Sequence, residues 1–241
     1  MKSKPSKITI MVSIYESGDW LENKLDNLSQ ITNPDECEIY CVNANSPDPR
    51  DDEIPKKFKC NYIKLNERLS LYDTWNLIIN NTSSIYITNS NTDDINSPSC
   101  FEELSKILDD NNNIDVVYPS WHCTGIPNLK WDDSNYAKKL WDNGGKPGQF
   151  AGDFDTAGVG HFPMWRRNLH GKIGYFDPRY TALADANFWC RAYYLAKAKF
   201  FWYNAFLGCY LWRNGENLWN KSISPEQWEL FHKERKAMID D

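Results

Sequence analysis

Apolar positions along the first half of this chain alternate between strand-like and helix-like spacing. Ile8 to Ser13 is a nearly continuous apolar run, the pattern of a strand covered on both faces. Asp19 to Gln30 then places Leu21, Leu25 and Leu28 on one helical stripe, with Ser17 or Asp19 as the cap. Further strands are predicted at Glu38 to Asn43, Asn61 to Leu65, Ser84 to Asn89 and Ile114 to Pro119. Helices are predicted at Ser70 to Asn80 and Pro98 to Asp109, the second opened by its proline. Strands separated by helical segments call for an α/β fold with a mostly parallel sheet. In such a sheet ligands bind beyond the carboxyl ends of the strands, so the polar residues there are the ones to test for chemistry.

The periodicity fades between about 120 and 160, where the Asn143-Gly144-Gly145-Lys146-Pro147-Gly148 cluster marks a long loop. It returns as a helix at about Thr181 to Ala198, with Phe188, Ala192 and Leu195 on one face. Lys199 to Asn204 and Phe206 to Trp212 read as two antiparallel strands, and Pro225 to Asp240 as a polar, amphipathic last helix. No repeat, linker or low-complexity stretch divides the 241 residues, which fits a single domain.

Composition narrows the function. A net charge of −6 argues against a nucleic-acid binder but leaves nucleotide ligands open, because a bound cation can meet their phosphates. The seven cysteines are scattered, with no C-x-x-C pair, and read as reduced, mostly buried thiols of a cytoplasmic protein. The first apolar run is too short for a signal-peptide core, and none reaches the roughly 18 residues of a membrane helix. Peripheral membrane contact stays open. Aromatic content is high, and Trp121, Trp131, Trp141, Trp165, Trp212 and Trp219 fall in irregular segments. They suit either sugar stacking or the pinning of long loops to the body.

Several chemistries drop out. No G-x-G-x-x-G follows the first strand, the glycines at 144, 145 and 148 lack P-loop spacing, and there is no G-x-S-x-G elbow. The four histidines do not pair at metal-ligand spacing. What remains is Tyr86-Ile87-Thr88-Asn89-Ser90-Asn91-Thr92-Asp93-Asp94, which sets hard oxygen donors at the end of a buried strand. Such donors suit Mg²⁺ or Mn²⁺, which hold one or two carboxylates and complete their shell with phosphate and water. An Asx-rich turn capping the next helix is the other reading.

The order of these segments resembles the family 2 glycosyltransferases of the GT-A fold. The matching stretches are Ser13-Ile14-Tyr15-Glu16 after the first strand and Asn43-Ala44-Asn45-Ser46-Pro47-Asp48 after the second. Leu71-Tyr72-Asp73-Thr74-Trp75-Asn76 and Asn91-Thr92-Asp93-Asp94 follow, the last in place of the usual Asp-x-Asp-Asp. Later come Gly158 to Arg167, Gly174-Tyr175-Phe176-Asp177 and Ala184-Asp185-Ala186-Asn187-Phe188-Trp189-Cys190-Arg191, where the family often has Glu-Asp and an arginine. The resemblance spans roughly residues 7 to 212.

It implies a Rossmann-like central sheet flanked by helices with a small antiparallel addition. A nucleotide-binding half would cover about 7–119, an acceptor half about 120–212, and a last helix 225–240. It further implies inverting transfer from a nucleotide-sugar donor to a glycan or glycoconjugate, assisted by a divalent cation (Mn or Mg). Asp185 would be the general base, and Asp93 with Asp94 would hold the cation. Ser13, Tyr15, Asn43, Asn45, Asn76 and Asn91 would serve the nucleotide side, and His161 and Trp165 the sugar and acceptor side. Arg191 is expected as an ion-pair partner along the same helix. Acceptor choice is expected in the loop from about 120 to 150. Amides at 45 and 91, where the family usually has acids, keep an inactive carbohydrate-binding or scaffold protein in view. The rival enzyme is a nucleotidyltransferase, which can also use an α/β sheet and a strand-end aspartate for metal. The acidic stretch after the first strand disfavours the latter. A transferase unit of a larger assembly is a further possibility.

Overall fold

Neighbouring residues of β1 (Ile8–Ile14) enter two different hydrophobic cores, because successive side chains of a strand point to opposite faces. Ile8, Ile10, Val12 and Ile14 join Leu21, Leu25 and Leu28 of helix α1 (Leu21–Ile31) and Phe101, Leu104 and Leu108 of α4 (Cys100–Asp110). Met11 joins the other core with Tyr72, Trp75, Ile78 and Ile79 of α3 (Leu71–Asn81). This two-sided burial is why β1 reads as a continuous apolar run rather than an alternating one. The computed structural model describes residues 6–131, 145–153, 158–213 and 223–240.

The sheet also holds β2 (Cys37–Asn43), β3 (Asn61–Lys64), β4 (Tyr86–Asn89), β5 (Ile95–Asn96), β6 (Val116–Thr124), β7 (Met164–Arg166) and β8 (Phe200–Leu211). Its order is β3-β2-β1-β4-β7-β6-β8-β5. The β1–β2, β1–β4, β2–β3 and β6–β8 pairings are parallel. The short strands β5 and β7 supply the antiparallel pairs. Among the described residues the remaining α-helices are α2 (Arg50–Glu53), α5 (Asn168–Ile173), α6 (Ala184–Tyr194) and α7 (Pro225–Asp240), with a 3₁₀ turn at Pro55–Lys57. This is the α/β architecture with a mostly parallel sheet that was expected, and β1, β2, β3, β4 and α3 fall close to their predicted bounds.

The second half corrects the expectation in three places. Residues 200–211 form one strand, not two antiparallel ones. The register steps from Pro119↔Tyr203 to Ser120↔Phe206, so Asn204 and Ala205 are the extra residues of a bulge. Pro119 has no N–H to give the ladder beside this step, and a second step of one residue follows between Ser120 and His122. The sequence at 204–205 also lacks the glycine-bearing turn a tight hairpin needs. Next, β6 runs on to Thr124 instead of ending at Pro119, and Trp121 bridges back to Gly145. Last, β7 and α5 lie between the loop that ends at about 160 and the helix expected from Thr181, where no element is predicted; both are shorter than two helical turns. The seven cysteines are free thiols, and among the described residues no helix is long and apolar enough to cross a membrane.

Trp165, expected on the substrate side, is instead a core residue of β7 with no exposed surface. It packs edge-on against Phe176 and Trp189, and its Nε1–H donates to His170 Nε2 at 3.0 Å. Trp165→Phe is expected to lower the unfolding free energy by roughly 2 kcal/mol, from the space left and the orphaned histidine nitrogen. Urea denaturation measures this; unchanged stability with weakened nucleotide binding would return Trp165 to the site.

Candidate active site

The carboxyl ends of β1, β4 and β8 and the first turns of α3 and α6 enclose one cleft of about 760 Å³. Ser13, at the end of β1, contributes a hydroxyl that is buried and has no hydrogen-bond partner among the described residues. A buried hydroxyl without a partner is costly, and a polar ligand in the cleft would satisfy it. Beside it, the guanidinium of Arg68 lies 3.9 Å over the Tyr15 ring and donates to the Tyr15 hydroxyl at 2.9 Å. Both residues line the cleft.

The turn after β4 is built around a buried lysine. Lys24 stands on the apolar stripe of α1 with no exposed surface. Its ammonium donates to Ser90 Oγ at 3.0 Å and to Asn96 Oδ1 at 2.9 Å. Asn27, one turn on, donates to the Asn96 carbonyl and accepts from its N–H, both at 3.0 Å. Asp94 points into the same interior, where Oδ1 accepts from the Leu211 N–H at 3.1 Å and Oδ2 from Asn91 Nδ2 at 3.0 Å. Burial and the neighbouring Asp93 charge push the Asp94 carboxyl up, while burial pushes Lys24 down and the two opposite charges partly restore each other.

Asp94 therefore does not face the cleft, which corrects its expected role as a cation ligand. Asp93 does face it, and it pairs with Arg213 at 3.0 Å. Asn91 also lines the cleft. Among the described residues no group of three or more His, Cys, Asp or Glu side chains is placed to hold a metal, so a closed cage is absent there. One carboxylate with an amide oxygen beside it still fits an open Mg²⁺ or Mn²⁺ site, whose remaining ligands are phosphate and water.

Asp185 meets the cleft from the first turn of α6. Its Oδ1 accepts from the Tyr72 hydroxyl at 3.0 Å and from the Ala186 N–H at 2.8 Å. Burial nevertheless holds its carboxyl above the ordinary aspartate range, the two hydrogen bonds offsetting only part of the shift. His161 lies on the cleft wall, stacked on Tyr210 at 3.8 Å and edge-on to Trp121 at 4.9 Å. Desolvation pushes its imidazole down to about 4, so it is neutral at pH 7. Gly160 permits this fold of the chain: its φ is 80°, and a Cβ there would meet the Trp121 ring at 2.3 Å.

Three expected nucleotide ligands turn elsewhere. Asn43 spends Nδ2 on Asp52 (2.9 Å) and Tyr62 (3.3 Å), and its Oδ1 accepts from the Ser46 N–H at 2.7 Å. It shapes the loop rather than facing the cleft. Asn45 is exposed at φ 58°, a left-handed position that asparagine tolerates. Asn76 bonds both backbone groups of Phe176, at 2.8 and 3.0 Å. Arg191 is likewise not an ion-pair partner of Asp185. It donates to Asn187 Oδ1 and to the carbonyls of Ile173 and Tyr175. Arg68, Arg213, Lys24 and Tyr72 were not singled out from the sequence. Strand-end position pointed to Arg213 once β8 is read as a single strand; Lys24 gave no signal beyond a lysine on an apolar stripe. Trp141 and Trp219 lie outside the described residues.

The sequence pattern described as Glycosyl transferase family 2 matches residues 9–174. Comparison with curated protein sequences gives no match. Among solved structures, the chain is similar to S. aureus TarS 1–349 in complex with UDP-GlcNAc, with a TM-score of 0.73 at 16% identity, covering 97% of this chain and 66% of that one. Whole S. aureus TarS aligns with a TM-score of 0.70 at 13% identity, and there the 97% of this chain that aligns spans 39% of the other. The mannosyltransferase PcManGT from Pyrobaculum calidifontis, in complex with GDP-Man and Mn²⁺, aligns with a TM-score of 0.62 at 15% identity, covering 97% and 72%. At these identities the structures speak to the fold, and the motif match over residues 9–174 speaks to descent: the chain belongs to glycosyl transferase family 2.

Proposed function

We propose that this chain transfers a sugar from a nucleoside-diphosphate sugar to a hydroxyl of a glycan or glycoconjugate, with inversion at the anomeric carbon. The observation that carries this reading is the placement of Asp93 and Asp185 on the walls of one cleft at the strand ends. Family membership and the nucleotide sugars bound by TarS and PcManGT support the donor class.

In this reading Asp185 takes the proton of the acceptor hydroxyl as its oxygen attacks the anomeric carbon. The bond from that carbon to the diphosphate breaks, and its electron pair leaves with the diphosphate. Tyr72 and the Ala186 N–H anchor Oδ1, which orients the carboxylate. Ser13, Tyr15 and Arg68 serve the nucleotide end of the cleft, and the neutral His161–Tyr210 stack gives a flat wall for a sugar ring. Asp93, with Asn91 beside it, would hold a divalent cation, which when bound neutralises charge growing on the leaving diphosphate.

Asp185→Asn is expected to lower kcat for release of nucleoside diphosphate by about 10²–10⁴-fold with donor affinity unchanged. Equal loss of donor binding would make Asp185 a binding residue instead. The raised carboxyl fixes the sign of the pH dependence: the base is lost as pH falls through a value above the roughly 3.9 of a free aspartate. A kcat/KM profile that stays flat down to pH 4 would contradict the assignment. Asp93→Asn should abolish the Mn²⁺-dependent part of donor binding in calorimetry; an unchanged Mn²⁺ requirement would remove Asp93 from the cation site.

A further inference from the structure

The guanidinium of Arg213 sits against Asp93, the carboxylate proposed above to hold the cation. It lies 3.0 Å from Asp93, and the pair is partly withdrawn from water, with side-chain exposures of 31% and 14%. The Trp20 ring, just before α1, sits 4.8 Å from the same guanidinium and supports it in that position. Asp94 cannot share the load, because its oxygens are taken by Leu211 and Asn91 in the interior beside Lys24. Among the described residues, Asp93 is thus the carboxylate of this turn that opens to the cleft, and it already has a positive partner. A dication arriving there meets both a neutralised carboxylate and a like charge.

From this geometry we infer that Arg213 competes with the divalent cation for Asp93 and, once displaced, binds the diphosphate of the donor. Arg213 lines the same cleft, and its planar fork matches phosphate oxygens. Cation and diphosphate then bind cooperatively. The cation frees Arg213 for the phosphates, and the phosphates draw Arg213 away from Asp93. Such coupling is reciprocal: each ligand strengthens the other by the same factor. The inference rests on the proposed role of Asp93 in holding the cation, and adds a resting-state competitor that sets how strongly the cation binds without donor.

The test is Mn²⁺ binding followed by electron paramagnetic resonance, with Mn²⁺ alone and with UDP or GDP added, on wild type, R213M, R213K and D93N. R213M should bind Mn²⁺ alone at least about five-fold more tightly than wild type, the low end of ordinary coupling. The strengthening of Mn²⁺ binding by nucleoside diphosphate should shrink by a similar factor. R213K, which keeps the charge, should stay near wild type for Mn²⁺ alone. If wild type binds Mn²⁺ with a diphosphate, D93N does not, and R213M shows unchanged or weaker affinity for Mn²⁺ alone, the competition is wrong while the cation site stands. If neither wild type nor R213M binds Mn²⁺ under any condition, both assignments fall.

Discussion

A lysine ammonium buried on the apolar face of a helix is the constraint around which the site is organised. Lys24 reaches from α1 to Ser90 and Asn96, at the two ends of the turn that follows β4. A buried charge survives only if its donors are satisfied and an opposite charge is near, and here Ser90, Asn96 and Asp94 meet those needs. The consequence is geometric. With Ser90, Asp94 and Asn96 tied inward, the backbone between them leaves Asn91 and Asp93 on the cleft side. An apolar residue at 24 would leave the turn without its interior anchor and Asp94 without its counter-charge.

The rest of the cleft follows from the strand ends that frame this turn. β1 lies beside β4 and delivers Ser13 and Tyr15. β8 closes the other side, giving its Leu211 N–H to Asp94 and its last residues to the cleft. The Asp185 side is assembled from the opposite core, where α3 sends the Tyr72 hydroxyl across to the first turn of α6. A polar pair thus crosses the edge of an aromatic cluster in which Tyr72 stacks on Phe176. Burial there keeps the Asp185 carboxyl raised, which suits the proton-accepting role proposed for it.

Much of this was legible from the amino-acid sequence, and the remainder fails for identifiable reasons. The period of the first half gave the parallel strands, and strand-end position pointed to the Asn89–Asp94 segment. The choice between Asp93 and Asp94 was not legible, because adjacent residues in a turn point in different directions that only the anchor at Lys24 settles. Asn43 and Asn76 stand near the expected strand end and helix, yet their side chains are spent on the loop after β2 and on the Phe176 backbone, while Asn45 is exposed at a left-handed position. Residue type there signalled turn chemistry as strongly as ligand chemistry. Trp165 was misplaced because β7 is three residues long, too short to show a period. Arg213 was hidden by reading residues 199–212 as a hairpin, because the second strand of a hairpin runs back and ends at the opposite end of the sheet.

The central claim is that the cleft between Asp93 and Asp185 binds a nucleoside-diphosphate sugar together with a divalent cation. The most direct measurement is thermal unfolding of the wild-type chain against UDP-, GDP-, dTDP- and CMP-sugars, each with and without Mn²⁺. A ligand at about 100 times its dissociation constant adds about 2.7 kcal/mol of stability, which a melting curve resolves. The account predicts a rise in Tm for one nucleoside-diphosphate class, larger with Mn²⁺ than without it. No shift with any sugar nucleotide, under either condition, would contradict it.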